Sequence, residues 1–156
     1  MSIHARPRRL LLVNGPNLNL LGTREPAIYG TTTLADVDQV VAVTAAELGY
    51  EITAVQSNHE GVLLDAIHEA RSTCAAVVIN PGALTHTSVA LRDALTGVGL
   101  PVAEVHISNV HRREEFRSHS FISGIADFVV AGAGIHGYAF AVQQLIRTLG
   151  EPPAAP

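Results

Sequence analysis

Residues Ala75-Ala-Val-Val-Ile-Asn80 form an apolar run that meets no polar position until its last residue. A strand of this kind has no solvent face, so it belongs in the middle of a sheet covered on both sides. Four more segments read as strands around it: Leu10 to Asn14, Glu51 to Gln56, Pro101 to Ile107 and Asp127 to Ala131. Helical periodicity fills the intervals. Thr33-Leu-Ala-Asp36 has the form of a capping box, and Leu34, Val37, Val41, Ala45 and Leu48 follow at helical spacing up to Gly49. Ser57-Asn-His-Glu60 has the same capping spacing ahead of Leu63, Ile67 and Ala70. A further helix starts near Thr85 to Ser88 and runs to about Thr96, a short one covers Arg112 to Phe116, and the last spans Gly137 to Leu149.

Strands that alternate with helices imply right-handed crossovers and a parallel sheet. The expectation is an α/β fold: a flavodoxin-like, doubly wound, five-stranded parallel sheet of order 2-1-3-4-5 with helices on both faces. A length of 156 residues predicts one domain over 1–156. Its core covers about 9–149, with loose tails at 1–7 and 151–156.

Composition removes several function classes. All ten Lys-or-Arg positions are arginine, so no side-chain amine is available for an imine and no Gly-Lys-Ser/Thr phosphate loop can be built. The net charge of -4 and the lack of a basic stripe argue against nucleic acid as a partner. One cysteine, Cys74, in an apolar context supports neither a disulfide framework nor a metal cluster. No His-Glu-x-x-His pattern occurs, and metal binding is not expected. Apolar runs fall short of a membrane span, and Met1 to Arg9 lacks the apolar stretch of a signal peptide, so the chain reads as cytoplasmic. The sparse charge hints at surface buried between subunits.

In a doubly wound sheet the ligand sits beyond the carboxyl ends of the strands where their order reverses. Asn14 and Asn17 lie there after the first strand, and Asn80, Gly82, Thr85 and His86 after the third. The fourth strand ends in Glu104-Val-His106-Ile-Ser108, whose alternation places Glu104, His106 and Ser108 on one face. Asn80 is a ligand contact or simply a turn former. His86, with Asp93 two turns further on, serves the site or only the first turn of its helix. A histidine buried at a strand end needs a reason, which makes His106 the stronger candidate. Arg117 either joins a salt-bridged surface with Arg112, Arg113, Glu114 and Glu115 or reaches a carboxylate ligand.

The connection after the first strand, through Gly30, is longer than such connections usually are and carries Arg24 and Tyr29. Long loops in compact domains tend to bind or to cover ligands. A phenol titrates near about 10, and an adjacent guanidinium lowers that value and makes a base suited to removing a proton beside a carbonyl. The alternative is a tyrosine that anchors the loop by packing.

Several segments resemble one family, the type II 3-dehydroquinate dehydratases. They are Asn14-Gly-Pro-Asn-Leu-Asn-Leu-Leu-Gly-x-Arg24-Glu-Pro-x-x-Tyr29-Gly, Gln56-Ser-Asn, Asn80-Pro-Gly-Ala-Leu-Thr-His86-Thr-Ser, Ala90-Leu-Arg-Asp93-Ala and Pro101-Val-x-Glu104-Val-His106-Ile-Ser108-Asn. Arg113-Glu-Glu-Phe-Arg117-x-x-Ser120 and Gly132-x-Gly-x-x-Gly137-Tyr continue the resemblance over roughly 9 to 149. It implies reversible dehydration of 3-dehydroquinate to 3-dehydroshikimate, by anti elimination through an enolate, as a step of the shikimate pathway of aromatic amino-acid biosynthesis. Tyr29 would be the base, Arg24 would keep it ionised, His106 would be the acid and Asn17 would help to hold the enolate. Asn80, His86, Arg117 and the amides of Ile107 and Ser108 would bind the substrate, Glu104 would orient His106, and Gly82 would support the site. The resemblance further implies no metal, no cofactor and a homododecamer built from trimers, in which Asp93 reaches a neighbour's site. Leu84 departs from the tyrosine that many members carry before Thr-His.

Two rival readings remain at this point. One is a flavodoxin-like module that binds FMN or another nucleotide, although its first loop should be rich in Ser and Thr, whereas Thr23 is the only hydroxyl between Asn14 and Tyr29. The other is a catalytically dead oligomer of the same fold.

Overall fold

The computed structural model describes residues 7–23, 26–29 and 31–150. Strand β1 (Arg9–Asn14) leads into a 3-10 turn (Leu18–Leu20) and a four-residue helix α1 (Pro26–Tyr29). Helix α2 (Leu34–Glu47), strand β2 (Glu51–Gln56), helix α3 (Glu60–Thr73) and strand β3 (Ala76–Asn80) follow. A 3-10 turn (Gly82–His86) precedes helix α4 (Val89–Val98) and strand β4 (Val102–His106). Two more 3-10 turns (Val110–Arg112 and Glu115–Ser118) lead to strand β5 (Phe128–Ala131) and helix α5 (His136–Leu149).

The five strands are all parallel, in the order β2-β1-β3-β4-β5 that the sequence predicts. Alternation along the inner strands divides the core. Leu10, Leu12, Val78 and Val105 pack with Val37, Val41 and Ala45 of α2 and with Tyr138, Ala141, Val142 and Leu145 of α5. Leu11, Val13, Val77 and Ile79 pack with Leu63 and Ile67 of α3 and with Leu91 and Leu95 of α4. Both faces of β3 are buried, as its apolar run requires. Each fully buried Leu or Ile contributes about 1.5–3 kcal/mol. No helix among the described residues is long and apolar enough to cross a membrane.

The capping box at α2 forms as expected: Thr33 Oγ1 accepts from Asp36 N, and the Asp36 carboxylate accepts from Thr33 N at 2.8 Å. The capping box expected at Ser57 to Glu60 does not. Ser57 Oγ instead accepts from His59 N at 2.9 Å, and the carboxylate of Glu60 takes a short hydrogen bond from Ser88 Oγ. Glu60 is thereby used to tie α3 to α4 and is unavailable to reach back to its own helix start. The short helix expected over Arg112 to Phe116 is also absent. Arg113 and Glu114 are extended and split the segment into two 3-10 turns, as the Glu114 carboxylate accepts from Arg117 Nε at 2.8 Å. The segment after β1, read from sequence as one long loop, contains α1 and a 3-10 turn. Of the expected tails at 1–7 and 151–156, all but residue 7 lie outside the described residues.

Candidate active site

The register of the sheet sets Asn14 beside Asn80 at the carboxyl ends of β1 and β3. The chain then leaves both strands with backbone against backbone. Gly15 N donates to Asn80 O at 2.8 Å. A Cβ on Gly15 would lie 2.1 Å from the carbonyl oxygen of Pro81, far inside contact distance. Gly82 has φ +59° and its missing Cβ would lie 3.0 Å from Pro16 O, so two glycines permit the close approach.

Asn14 and Asn80 are both buried, and buried amides need partners. Tyr138 of α5 supplies them from beneath the sheet ends. Its hydroxyl donates to Asn14 Oδ1 at 2.9 Å and accepts from Asn80 Nδ2 at 2.8 Å. Burial drives the Tyr138 phenol well above its ordinary pKa, against the hydrogen bond from Asn80, so this tyrosine stays neutral. Asn80 Oδ1 accepts from Gly82 N at 3.2 Å, which fixes the turn that begins at Gly82.

The loop after β1 is clamped from the end of β2. Asn17 N donates to Asn58 Oδ1 at 2.9 Å, and Gln56 Nε2 donates to Gly15 O at 3.3 Å. Asn17 is the one non-glycine residue at positive φ (69°) among the described residues. Asparagine tolerates that conformation better than most side chains.

Glu104 and His106 alternate along β4 and meet on one face, with His106 Nε2 2.6 Å from Glu104 Oε1. Ser120 Oγ donates to Glu104 Oε1 at 2.8 Å and Ser123 Oγ donates to Oε2 at 2.5 Å. Burial of Glu104 favours the neutral acid. The hydrogen bonds from His106, Ser123 and Ser120, with the charge of His106, outweigh it and hold the carboxyl below its ordinary pKa. An ionised carboxylate only accepts, so His106 Nε2 carries a proton. Nδ1 is left as the ring nitrogen not engaged by Glu104.

His86 closes the 3-10 turn after β3, and its Nδ1 lies 2.7 Å from His119 O. A carbonyl accepts only, so Nδ1 donates and Nε2 is the ring nitrogen not engaged by His119. Arg117 lies over the Phe116 ring at 5.0 Å and is oriented by Glu114.

These groups line one cleft of about 690 Å³ of empty space, part of which is open to solvent. Asn17, Asn80, Gly82, His86, His106, Ile107, Ser108 and Arg117 all border it, together with Arg113. The structure therefore gathers most of the residues expected from sequence. Glu104 stands behind His106. Asp93 is elsewhere: it is exposed beside a groove between α3 and α4, near His68 and Arg71. Arg24 lies outside the described residues, as does the side chain of Tyr29, whose backbone ends α1. Among the described residues no group of three or more His, Cys, Asp or Glu is placed to hold a metal ion.

Sequence reasoning gave no role to Tyr138, Ser123 or Asn58. Tyr138 carried a signal, because two asparagines in register at buried strand ends require a donor and an acceptor from a packed helix. Ser123 and Asn58 act across 19 and 41 residues of chain, and nothing local marks them.

An ionised carboxylate that holds an imidazole at a polar cleft, at the switch point of a doubly wound sheet, is the arrangement of an enzyme that moves protons on a small polar molecule. Residues 8–146 match the family described as dehydroquinase class II. The chain belongs to that family and is a hydro-lyase of the 3-dehydroquinate dehydratase type. It is 64% identical to "Catabolic 3-dehydroquinase 2" of Aspergillus flavus over 140 residues, which cover 90% of this chain and 93% of that protein. It is 61% identical to the 3-dehydroquinate dehydratase of Corynebacterium glutamicum over 139 residues, 89% of this chain and 96% of that one. Among solved structures, the type II dehydroquinase of Propionibacterium acnes superposes with a TM-score of 0.85 at 41% identity, over 92% of this chain and 99% of that chain.

Proposed function

We propose that the chain acts as one catalytic domain over 1–156 and dehydrates 3-dehydroquinate to 3-dehydroshikimate, reversibly, by anti elimination through an enolate. The observation that carries this reading is the Glu104–His106 pair at the wall of the cleft. With ionised Glu104 engaging Nε2, Nδ1–H is the acid that protonates the departing hydroxyl. Tyr29, kept ionised by Arg24, removes the proton beside the ketone, and α1 carries its backbone at the far end of the segment that leaves the cleft. The electron pair of that C–H bond passes into the enolate, returns to form the C=C bond, and expels hydroxide as water with the proton from His106. Asn17, held by Asn58, steadies the enolate oxygen. Asn80, the Nε2 of His86, the Ile107 and Ser108 amides and Arg117 bind the hydroxyls and carboxylate of the substrate, and Gly82 keeps the turn open beneath it.

The reading places the enzyme in the shikimate pathway and in the cytoplasm. Its relatives carry both "catabolic" and unqualified names, and the dehydration is common to both. It also includes a homododecamer built from four trimers. The distance of Asp93 from its own cleft supports a role across a subunit boundary, as do exposed Phe116, Val129 and Phe140.

His106→Asn provides the test. Without the acid, the base still exchanges the proton beside the ketone with solvent deuterium, while loss of water stops. Dehydration at the normal rate in this variant overturns the assignment of the acid.

A further inference from the structure

Glu104 is fully buried, yet it is surrounded by more donors than an orienting carboxylate needs. A carboxylate that only has to aim an imidazole requires the single bond to Nε2. Here Oε1 also accepts from Ser120 Oγ, and Oε2 accepts from Ser123 Oγ. The direction of these bonds is fixed. Ser120 Oγ already accepts from Ile122 N at 3.0 Å and Ser123 N at 2.9 Å, so its own proton goes to Glu104.

The Glu104–His106 pair has two ways to hold one proton: on the ring as an ion pair, or on the carboxyl as a neutral pair. Burial favours the neutral pair, since it removes charge from a low-dielectric interior. Donors to the carboxylate favour the ion pair, because only the anion needs them. We infer that Ser120 and Ser123 are positioning residues that keep the shared proton on His106, where Nδ1–H can serve as the acid. Among the described residues, the hydrogen bonds that hold the carboxyl low come from His106 and these two serines. Arg113, Arg117 and His86 face His106 from the substrate cleft, and His111 and His119 border the adjoining recess that holds the two serines. All of these groups stay in place when a serine is replaced.

The inference rests on the assignment of His106 as the acid, and its test separates the two. Ser123 is the cleaner site, since the hydroxyl of Ser120 also holds backbone. In full-length Ser123→Ala, kcat falls about ten- to a hundredfold, as the loss of a hydrogen bond to a buried charge implies. KM stays within about threefold, because Ser123 does not touch the cleft. Histidine ¹⁵N spectra of the resting protein, at a pH where the pair holds one proton, show the His106 ring moving from the imidazolium toward the neutral pattern. Ser123→Thr restores both. Ser123→Cys, a weaker donor of similar size, falls between and serves if the alanine variant does not fold. An unmoved His106 spectrum with wild-type kcat, or a KM defect that threonine does not rescue, overturns the inference. A wild-type protein inactive on 3-dehydroquinate overturns the functional reading instead, while the spectra still report where the proton lies.

Discussion

Tyr138→Phe removes one oxygen from the interior and leaves two buried amide groups without their shared partner. The ring itself keeps its packing, because phenylalanine fills the same space against Leu12, Val78 and Val105, members of the same core cluster. Tyr138 is 0% exposed, with Asn14 at 1% and Asn80 at 4%, so water cannot replace the lost bonds without opening the core. Each buried polar group left unsatisfied costs about 1–3 kcal/mol, and part is recovered because phenylalanine is cheaper to bury than tyrosine. The expected net loss is about 2–4 kcal/mol. At about 2–4 °C per kcal/mol for a chain of this size, Tm falls by about 4–16 °C. Thermal unfolding by circular dichroism, with both proteins at the same concentration, provides the measurement. A second readout follows from position: the asparagines hold the ends of β1 and β3, so Asn17, His86 and Gly82 lose alignment and kcat/KM drops by more than tenfold. A Tm within about 2 °C of wild type would refute the claim that this hydroxyl carries the junction.

Gly15→Ala forces a methyl group into the Pro81 carbonyl, at 2.1 Å by ideal geometry. It is expected to cost about 2–3 kcal/mol in urea unfolding and to impair turnover, whereas Gly97→Ala, inside α4 with open space around it, leaves turnover unchanged and raises stability by about 0.5–1 kcal/mol. Acid unfolding should carry the signature of Glu104. Its folded pKa lies below the unfolded value, so its contribution is complete above the unfolded value and is lost as pH falls through the folded one. Urea midpoints measured against pH should therefore decline below the ordinary glutamate range of about 4.3, and Glu104→Gln should flatten that decline while lowering stability at neutral pH.

The parallel sheet and its strand order were legible because β3 is apolar without interruption and each crossover carries a helical period. The reversal of strand order then located the cleft, and the polar residues just past β1, β3 and β4 filled in most of its wall. What the sequence could not display was long-range chemistry. Ser57 to Glu60 has the letters of a capping box, but Glu60 finds a better partner in Ser88 on another helix. Arg112 to Phe116 has helical composition, but the bond between Glu114 and Arg117 favours a tighter turn after an extended pair. The two serines on Glu104 and the tyrosine between two asparagines become visible only when the chain is folded.

The central claim is that a phenolate carried after β1 and an imidazole at the end of β4 act on one substrate. Its most direct test is the rise in ultraviolet absorbance as 3-dehydroquinate becomes a conjugated enone, followed with wild type and with Tyr29→Phe. Wild type is expected to form the enone steadily. The variant is expected to lose nearly all of kcat and to keep substrate affinity within about tenfold, as for a group that acts mainly in the transition state. A wild-type protein that forms no enone, or a Tyr29→Phe variant that forms it at the normal rate, contradicts the account.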